Sequence, residues 1–393
     1  MNKIESITCK RFSSKYGEFN NSFGQPLGVK SIVLLTVTSS EGHARSHELY
    51  SGIYIPEIFP NLISIISEQY IGKEISLEFF NNRIKLPFLS NSGIFKSITG
   101  AIESCIIQIY FSSKGICLVE GLKTLLNPSL RRDTFTNINY YGSGGSVAFS
   151  SDECVEDLKK SLKKGLDGFK MRCGLKDIKD DIQRVDAVYQ YINKNSLNKK
   201  PKLMIDFIQG TLKSTVNLLK LEKYIKELTD FNIFWLEEPL DPDKVNLYEE
   251  FVSSQKNYIN LCLGESFTCL NEYAAFKNII NFFQLDVTHV GGYYDAINIL
   301  NYMKKYKSDT RFSSHVWGSG ISGLLNLAIC RASNSISWFE VPLLNFEINL
   351  HIFGKEEIDY PNLENNEIDN YLSNLNLEYN HKFEFVEKSG YKI

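Results

Sequence analysis

Two patterns of hydrophobic and polar positions divide the chain. Up to about residue 125, a β-branched run at 31–38 precedes two stretches, 55–70 and 100–111, whose apolar residues recur three and four positions apart. These spacings predict a strand followed by helices. The first 125 residues are therefore predicted to form an α+β domain.

From about residue 136 a short apolar run alternates with an amphipathic stretch. Eight such runs lie at 138–141, 168–173, 203–207, 233–238, 259–265, 282–287, 311–317 and 336–341. Helical spacing marks the stretches 152–164, 179–192, 215–228, 270–280, 296–306 and 321–332 between them. Near-continuous apolar strands that alternate with helices predict a parallel sheet covered on both faces. Eight repeats predict that this sheet closes into a (β/α)8-type, TIM-like barrel.

An open, doubly wound α/β sheet is the structural alternative. That fold usually carries a glycine-rich phosphate turn after its first strand. The nearest candidate is Gly-Ser-Gly-Gly at 142–145, whose glycine spacing does not match the phosphate-binding pattern. We therefore predict a barrel domain over 126–366 and an α+β domain over 1–125, which the tail at about 367–393 completes.

Composition narrows the classes of function. The 393 residues carry 43 basic and 46 acidic side chains, a formal net charge of −3, and so offer no basic surface for a nucleic acid or an anionic membrane. The eight cysteines include no Cys-x-x-Cys pair, as expected of reduced thiols. The N-terminus lacks the pattern of a signal peptide, and the apolar runs are shorter than the ~20 residues of a membrane span. These features predict a cytoplasmic protein with a small-molecule partner.

Three successive strands of the predicted barrel end in carboxylates, Asp206, Glu237 and Glu265. The carboxyl ends of barrel strands meet at one concave face, so these side chains are expected to converge. Three carboxylates in a low-dielectric site repel one another unless a cation lies between them. Oxygen ligands without histidine or cysteine favour a hard ion, and Mg²⁺ is the cofactor that we predict.

The remaining strand ends carry acid, base and cationic groups. Asp286 ends the sixth run and His315 the seventh, so the carboxylate is placed to accept a hydrogen bond from the imidazole and raise its basicity. Glu340 ends the eighth run. In the second run, Lys170 and Arg172 lie two residues apart and point to the same side of the sheet.

Seven motifs in this order resemble the enolase superfamily, and specifically its mandelate racemase branch within the mandelate racemase/muconate lactonizing enzyme family. They are Lys-Met-Arg at 170–172, Ile-Asp-Phe-Ile-Gln-Gly at 205–210, Trp-Leu-Glu-Glu-Pro at 235–239, Gly-Glu at 264–265, Asp-Val-Thr-His-Val-Gly-Gly at 286–292, Ser-His-Val-Trp-Gly at 314–318 and Trp-Phe-Glu at 338–340. The resemblance covers about residues 137–342. The N-terminal domain resembles the family's capping domain more loosely.

The resemblance implies a role for each of these residues. Mg²⁺ would bind Asp206, Glu237 and Glu265 and coordinate the carboxylate of an acid substrate. The α-proton of that substrate would then be removed to give an enediolate. The Asp286–His315 pair would act as one acid/base, and the last residue of a Lys-x-Lys motif as the other. Glu340 would hydrogen-bond the substrate carboxylate or the enediolate. The resemblance also implies a homo-oligomer.

Two departures from the family pattern shape the predicted reaction. Arg172 replaces the second lysine of Lys-x-Lys, and a guanidinium is a poor proton acceptor at neutral pH. Ile208 stands where the family often has asparagine. A two-base racemase is therefore disfavoured, whereas a one-base β-elimination with electrostatic support from Lys170 and Arg172 remains.

The sequence thus predicts a Mg²⁺-dependent lyase that dehydrates a sugar acid. A cycloisomerase or an epimerase/racemase on a related acid or lactone, and a binding protein without turnover, are the alternatives. Two neighbours of the site residues, Glu238 and His289, are interpreted as structural. Tyr16, Tyr50 and Tyr54 lie in N-terminal loops where the family's capping domain selects substrate.

Overall fold

A computed structural model describes residues 2–15, 29–50, 56–80, 83–84, 93–131, 138–175, 177–195, 199–210, 216–254, 259–306, 311–344 and 346–377. Its larger part is a closed barrel of eight parallel strands. They are β4 (Asn139–Ser143), β5 (Gly168–Arg172), β6 (Lys202–Asp206), β7 (Leu236–Glu237), β8 (Leu261–Leu263), β9 (Phe282–Leu285), β10 (Arg311–Ser314) and β11 (Ile336–Pro342). The strands follow one another in chain order, and β11 pairs with β4. The predicted barrel is confirmed, and the open-sheet alternative is wrong.

Helices surround the barrel at the predicted places. They are α4 (Ser151–Lys163), α5 (Ile178–Lys194), α6 (Leu218–Leu228), α7 (Val245–Ser254), α8 (Leu270–Phe276), α9 (Gly292–Tyr306) and α10 (Gly320–Ala332). Helix α7, which the spacing analysis did not single out, buries only Tyr248 and Phe251. Strand β7 is shorter than the predicted run at 233–238. Backbone hydrogen bonds of Phe234 and Trp235 to β6 nevertheless continue the pairing on its N-terminal side.

The N-terminal part forms an antiparallel sheet of β1 (Ile4–Lys15), β2 (Val29–Ser39) and β3 (Ala44–Leu49), packed with α1 (Phe59–Ser67), α2 (Gly93–Ser113) and α3 (Leu118–Leu125). The 31–38 run lies within β2, as predicted. Apolar periodicity did not reveal β3, because Arg45, Ser46, His47 and Glu48 are all buried although they are polar. In β1 an irregularity in register near Ile4 disturbs the alternation.

The two faces of β2 pack against different partners. Ile32 and Leu34 belong to the hydrophobic cluster that contains the barrel, whereas Val33, Leu35 and Val37 pack in a second cluster with α1 and α2. This period of two is the signature of a sheet that is covered on both sides. The face of the N-terminal sheet that carries Ile32 and Leu34 is therefore in direct contact with the barrel domain. Strand β3 contacts the same domain through α10.

Helix α2 is, in the described part of the chain, the one helix that is long and apolar enough to span a membrane by length and composition. Its most apolar 18-residue window is 78% buried within the protein, as in a core helix. All eight cysteines are free thiols.

The last helices, α11 (Glu347–Phe353) and α12 (Asn365–Ser373), follow the barrel. Helix α12 lies against α3, β3 and α10, so it contacts both parts of the molecule. Lys10 in β1 donates a 2.8 Å hydrogen bond to the carbonyl oxygen of Leu377. Residues 378–393 of the predicted tail lie outside the described residues, and the predicted domain boundaries stay a prediction.

The packing of α2 on α9 makes a stability prediction. A Cβ atom at Gly100 would lie 2.1 Å from the carbonyl carbon of Gly291, and this backbone has no rotamer with which to move aside. We expect Gly100→Ala to lower the free energy of unfolding by about 1–3 kcal/mol, the usual range for overpacking. Urea denaturation measures it.

Gly93→Ala, in the same helix, is the matched control. Its Cβ atom would meet Thr268 Cγ2 at 3.5 Å, an ordinary van der Waals distance. Gly93 is the first residue of the helix, so alanine gains less helix propensity there than at Gly100, and the comparison understates the clash. Equal stabilities for the two variants would show that the close approach of α2 to Gly291 is wrong.

Candidate active site

The predicted site residues converge at the carboxyl ends of the barrel strands. Every one of them lies in a strand or within two residues of its end: Lys170 and Arg172 in β5, Asp206 in β6, Glu237 in β7, Glu265 after β8, Asp286 after β9, His315 after β10 and Glu340 in β11. Parallel strands in a closed barrel bring these ends to one face. The residues form one cluster, linked by the contacts described below.

Three carboxylates form the centre of the site. Asp206, Glu237 and Glu265 each offer an oxygen, and these oxygens lie within 4.8 Å of one another. The Glu265 side chain is 11% exposed and the other two are less exposed. The backbone NH of Ile208 donates a 2.7 Å hydrogen bond to Asp206 Oδ1. Ile208 has a φ of 48°, in the left-handed region that a β-branched residue rarely adopts, so this turn orients Asp206 at a cost in backbone strain.

Lys170 lies among the carboxylates of the cluster. Its Nζ atom contacts Glu237 Oε1, lies 2.9 Å from Glu340 Oε1, and lies 3.6 Å from Asp206 Oδ2. Burial opposes the charge on Lys170, but Glu237 and Glu340 outweigh it and raise its pKa well above the usual range. These carboxylates favour the protonated form of Lys170 in the metal-free site.

Arg172 is held as a second fixed cation. It donates hydrogen bonds to the Gly144 carbonyl oxygen at 2.8 Å and to Ser143 Oγ at 3.2 Å. Its Nε atom lies 3.6 Å from Asp206 Oδ2, and its guanidinium carbon lies 5.2 Å from the centre of the Trp317 ring. These contacts position a positive charge beside Asp206 and leave no proton-accepting group.

The charges in the cluster do not balance. Its carboxylates are Asp206, Glu237, Glu238, Glu265, Asp286 and Glu340, against two fixed cations, Lys170 and Arg172. Burial raises the pKa of Glu237 to about 7, although Lys170 opposes the rise. Burial and the charges of Glu238 and Asp206 raise the pKa of Glu265 well above its usual value. Among the described residues, the buried Glu237 Oε2 atom has no hydrogen-bond partner.

These observations are those expected of a site built for an added cation. Its donors are carboxylate oxygens only, which suits a hard divalent ion such as Mg²⁺. An ion bound there would relieve the repulsion and give the free oxygen of Glu237 a partner. Asp206, Glu237 and Glu265 are the residues that fit it.

His315 and Asp286 form a hydrogen-bonded pair beside the carboxylates. His315 Nδ1 lies 2.9 Å from Asp286 Oδ2, and Asp286 Oδ1 accepts from Thr288 and Asn326. Burial lowers the pKa of His315, but the Asp286 hydrogen bond and the charge of Glu340 outweigh burial and raise it. With Nδ1 engaged, Nε2 is the ring atom that faces the cluster, 3.6 Å from Glu265 Oε2.

Glu340 joins the two sides of the site. Its Oε1 atom pairs with Lys170, and its Oε2 atom accepts a 2.9 Å hydrogen bond from the backbone NH of Val316. Burial raises the pKa of Glu340, but Lys170 and His315 outweigh burial and lower it. Glu340 is thus held ionised between Lys170 and the segment that carries His315 and Val316.

Residues interpreted as structural also lie around the site. Glu238 accepts from Ser266 Oγ at 2.6 Å and holds the turn that carries Glu265. His289 has a partner at the site, because its Nδ1 atom lies 2.8 Å from the Glu265 carbonyl oxygen. Its ring stacks on Tyr50 at 4.4 Å.

Contributions from the N-terminal part were the hardest to find from the sequence. The Tyr50 ring also meets His315 edge-on at 5.7 Å, which brings one of the three candidate tyrosines to the site. Tyr16 and Tyr54 lie outside the described residues. Ser143, which accepts a hydrogen bond from Arg172, belongs to none of the seven family motifs. Its position at the end of the first barrel strand is the one sequence feature that could have indicated a role at the site.

Comparisons with known proteins agree with this architecture. Residues 153–364, more than half of the chain, match the family described as enolase C-terminal domain-like. L-talarate/galactarate dehydratase of Salmonella typhimurium is 25% identical over 169 residues, 42% of this chain and 39% of the relative. L-galactonate dehydratase of Hypocrea jecorina is 25% identical over 173 residues, 42% of this chain and 36% of the relative. The match therefore spans under two fifths of the length of either curated relative.

Solved structures share the fold over most of the chain. A variant of L-talarate/galactarate dehydratase with Mg and L-glucarate superposes with a TM-score of 0.72 at 18% identity, covering 91% of this chain and 86% of that one. The 3,6-anhydro-D-galactonate cycloisomerase of Zobellia galactanivorans gives a TM-score of 0.68 at 18% identity, covering 86% of this chain and 87% of that one. On its family match, its strand order and its fold, the chain belongs to the enolase superfamily, in the mandelate racemase/muconate lactonizing enzyme family.

Proposed function

We propose that the protein is a Mg²⁺-dependent lyase that removes the proton α to a sugar-acid carboxylate and eliminates the β-hydroxyl group as water. Members of this superfamily are enzymes, and both curated relatives bear the names of sugar-acid dehydratases. The observation that carries the proposal is the Asp286–His315 pair, whose imidazole Nε2 atom faces the carboxylate cluster.

His315 is the base in this proposal because the other candidates are fixed cations. Lys170 is held by ion pairs with Glu237 and Glu340, and Glu340 remains its partner when Glu237 binds the ion. Arg172 is a guanidinium and cannot accept a proton at neutral pH. Asp286 orients the imidazole so that Nε2 is the atom that takes the α-proton.

The metal ion and the cationic side chains would stabilise the negative charge that develops during the reaction. Mg²⁺ bound by Asp206, Glu237 and Glu265 would neutralise the charge that develops on the substrate carboxylate when the α-proton leaves. Lys170 and Arg172, each 3.6 Å from Asp206 Oδ2, would add positive charge near the same oxygens. Glu340, fixed by Lys170 and Val316, would orient the substrate carboxylate.

A single base is sufficient for the elimination. The C–H electron pair first forms the enediolate, which then expels the hydroxyl group on the neighbouring carbon with a proton returned from His315. Water and an enol are the products, and the enol tautomerises to a 2-keto-3-deoxy acid. A two-base racemisation would need a proton acceptor where Arg172 lies, and so Arg172 favours the lyase.

The test is an exchange screen in D₂O. The protein with Mg²⁺ is incubated with a library of sugar acids, and NMR follows loss of the α-proton signal and formation of a 2-keto-3-deoxy acid. We expect exchange and keto acid with at least one substrate. Exchange with a ring-opened, ring-closed or epimerised product would make it an isomerase or cycloisomerase, and Mg²⁺ binding without exchange would make it a binding protein.

A further inference from the structure

Glu48 is a buried carboxylate in an apolar interface. It lies in β3, is 1% exposed, and pairs in register with Leu34, a member of the hydrophobic cluster shared with the barrel. Burying a carboxylate is costly unless hydrogen bonds compensate for the lost water. The function proposed above assigns nothing to this residue.

The loop that follows the proposed base supplies hydrogen bonds that compensate for this burial. Glu48 accepts hydrogen bonds from the Ser319 hydroxyl at 2.6 Å and from the Ser319 backbone NH at 3.0 and 3.2 Å. Ser319 is the N-cap residue of the 13-residue helix α10, so the carboxylate also lies at the favourable end of the helix dipole.

The chain between His315 and Ser319 leaves little freedom to shift. A Cβ atom at Gly318 would lie 2.7 Å from Glu48 Oε1, so glycine is what permits the close approach. Within this segment Val316 donates to Glu340, and Trp317 lies over Arg172. One anchor at Ser319 thus restrains several groups of the site at once.

We infer that Glu48 is a positioning residue through which the N-terminal sheet holds the segment 315–319, and with it His315, in place at the barrel mouth. Asp286 fixes the imidazole ring, and Glu48 fixes the far end of the loop that carries it. The inference rests on the proposed function for its catalytic consequence only. The restraint on the loop is independent of any reaction.

The experiment compares Glu48→Ala and Glu48→Gln with the matched control Glu57→Gln. Glu57 is a carboxylate of the same N-terminal part, 61% exposed and paired with Arg11. Hydrogen exchange by mass spectrometry follows the backbone amides of residues 316–321. The rate at which diethyl pyrocarbonate modifies His315 is the second readout, and neither requires a substrate.

For Glu48→Ala we expect amide exchange in 316–321 to rise at least tenfold and His315 modification to accelerate. Circular dichroism compares the melting temperature of the variant with that of the wild type. Glu48→Gln keeps one acceptor oxygen and is expected to recover part of the protection, which covers the case in which the alanine variant fails to fold. The control should match the wild type.

With an active substrate, we expect kcat for α-proton exchange to fall 10- to 100-fold in Glu48→Ala with KM changed less than threefold. Amide exchange in 316–321 at the wild-type rate would overturn the inference. Faster amide exchange with unchanged His315 modification and unchanged kcat would also overturn it. If the wild type exchanges no α-proton with any acid, the proposed function fails, and amide exchange with His315 modification still decides the role of Glu48.

Discussion

Replacing His315 by asparagine is expected to reduce α-proton exchange by at least about 10³-fold while Mg²⁺ stays bound. The reason is that the imidazole Nε2 atom faces the cluster as the proposed base, and loss of a positioned base costs about 10²–10⁴-fold. Asparagine is short enough to fit the buried position and can still donate to Asp286. Exchange is measured by NMR in D₂O, and metal binding by calorimetry.

His351→Asn is the control for this substitution. His351 lies in α11, after the last site motif, where its Nε2 atom is 3.9 Å from Glu347. We expect this variant to exchange at the wild-type rate. Retained exchange in His315→Asn would transfer the role of base to another residue, with Lys170 the first to test.

The second large effect is expected on metal binding. Glu237→Gln should weaken Mg²⁺ binding at least about 100-fold, because it removes one of three converging anionic ligands while keeping the shape of the side chain. The neutral amide would also relieve part of the carboxylate repulsion in the metal-free protein. Calorimetric titration with Mg²⁺, repeated with Mn²⁺ for signal, measures the affinity.

Glu347→Gln is the matched control, since its side chain is 50% exposed and lies outside the cluster. Its affinity for Mg²⁺ should equal that of the wild type. If Glu237→Gln binds Mg²⁺ as tightly as the control does, the ion is held elsewhere and the cluster is not the metal site.

The barrel was predictable because its signal is local and repeated. Each strand is a short apolar run, each helix has its own amphipathic spacing, and the eight repeats need no knowledge of distant contacts. The N-terminal sheet was only partly predictable. Strand β3 buries Arg45, Ser46, His47 and Glu48, so its burial depends on partners such as Ser319 that lie far along the chain.

The same distinction holds for the site. Asp206, Glu237 and Asp286 could be placed because each ends a strand, and the ends of parallel strands share one face. The sequence could not show that Lys170 bridges Glu237 and Glu340, or that Tyr50 packs on His289. Those contacts depend on side-chain directions and on docking of the N-terminal part, which no spacing rule encodes.

The central claim is that a cation held by three carboxylates enables His315 to remove an α-proton. The most direct measurement is α-proton exchange in D₂O by one protein sample, first treated with EDTA and then supplied with excess Mg²⁺, with a sugar acid found active in the screen. The account predicts no exchange in EDTA and full recovery with Mg²⁺. Exchange at the same rate in both states would contradict it.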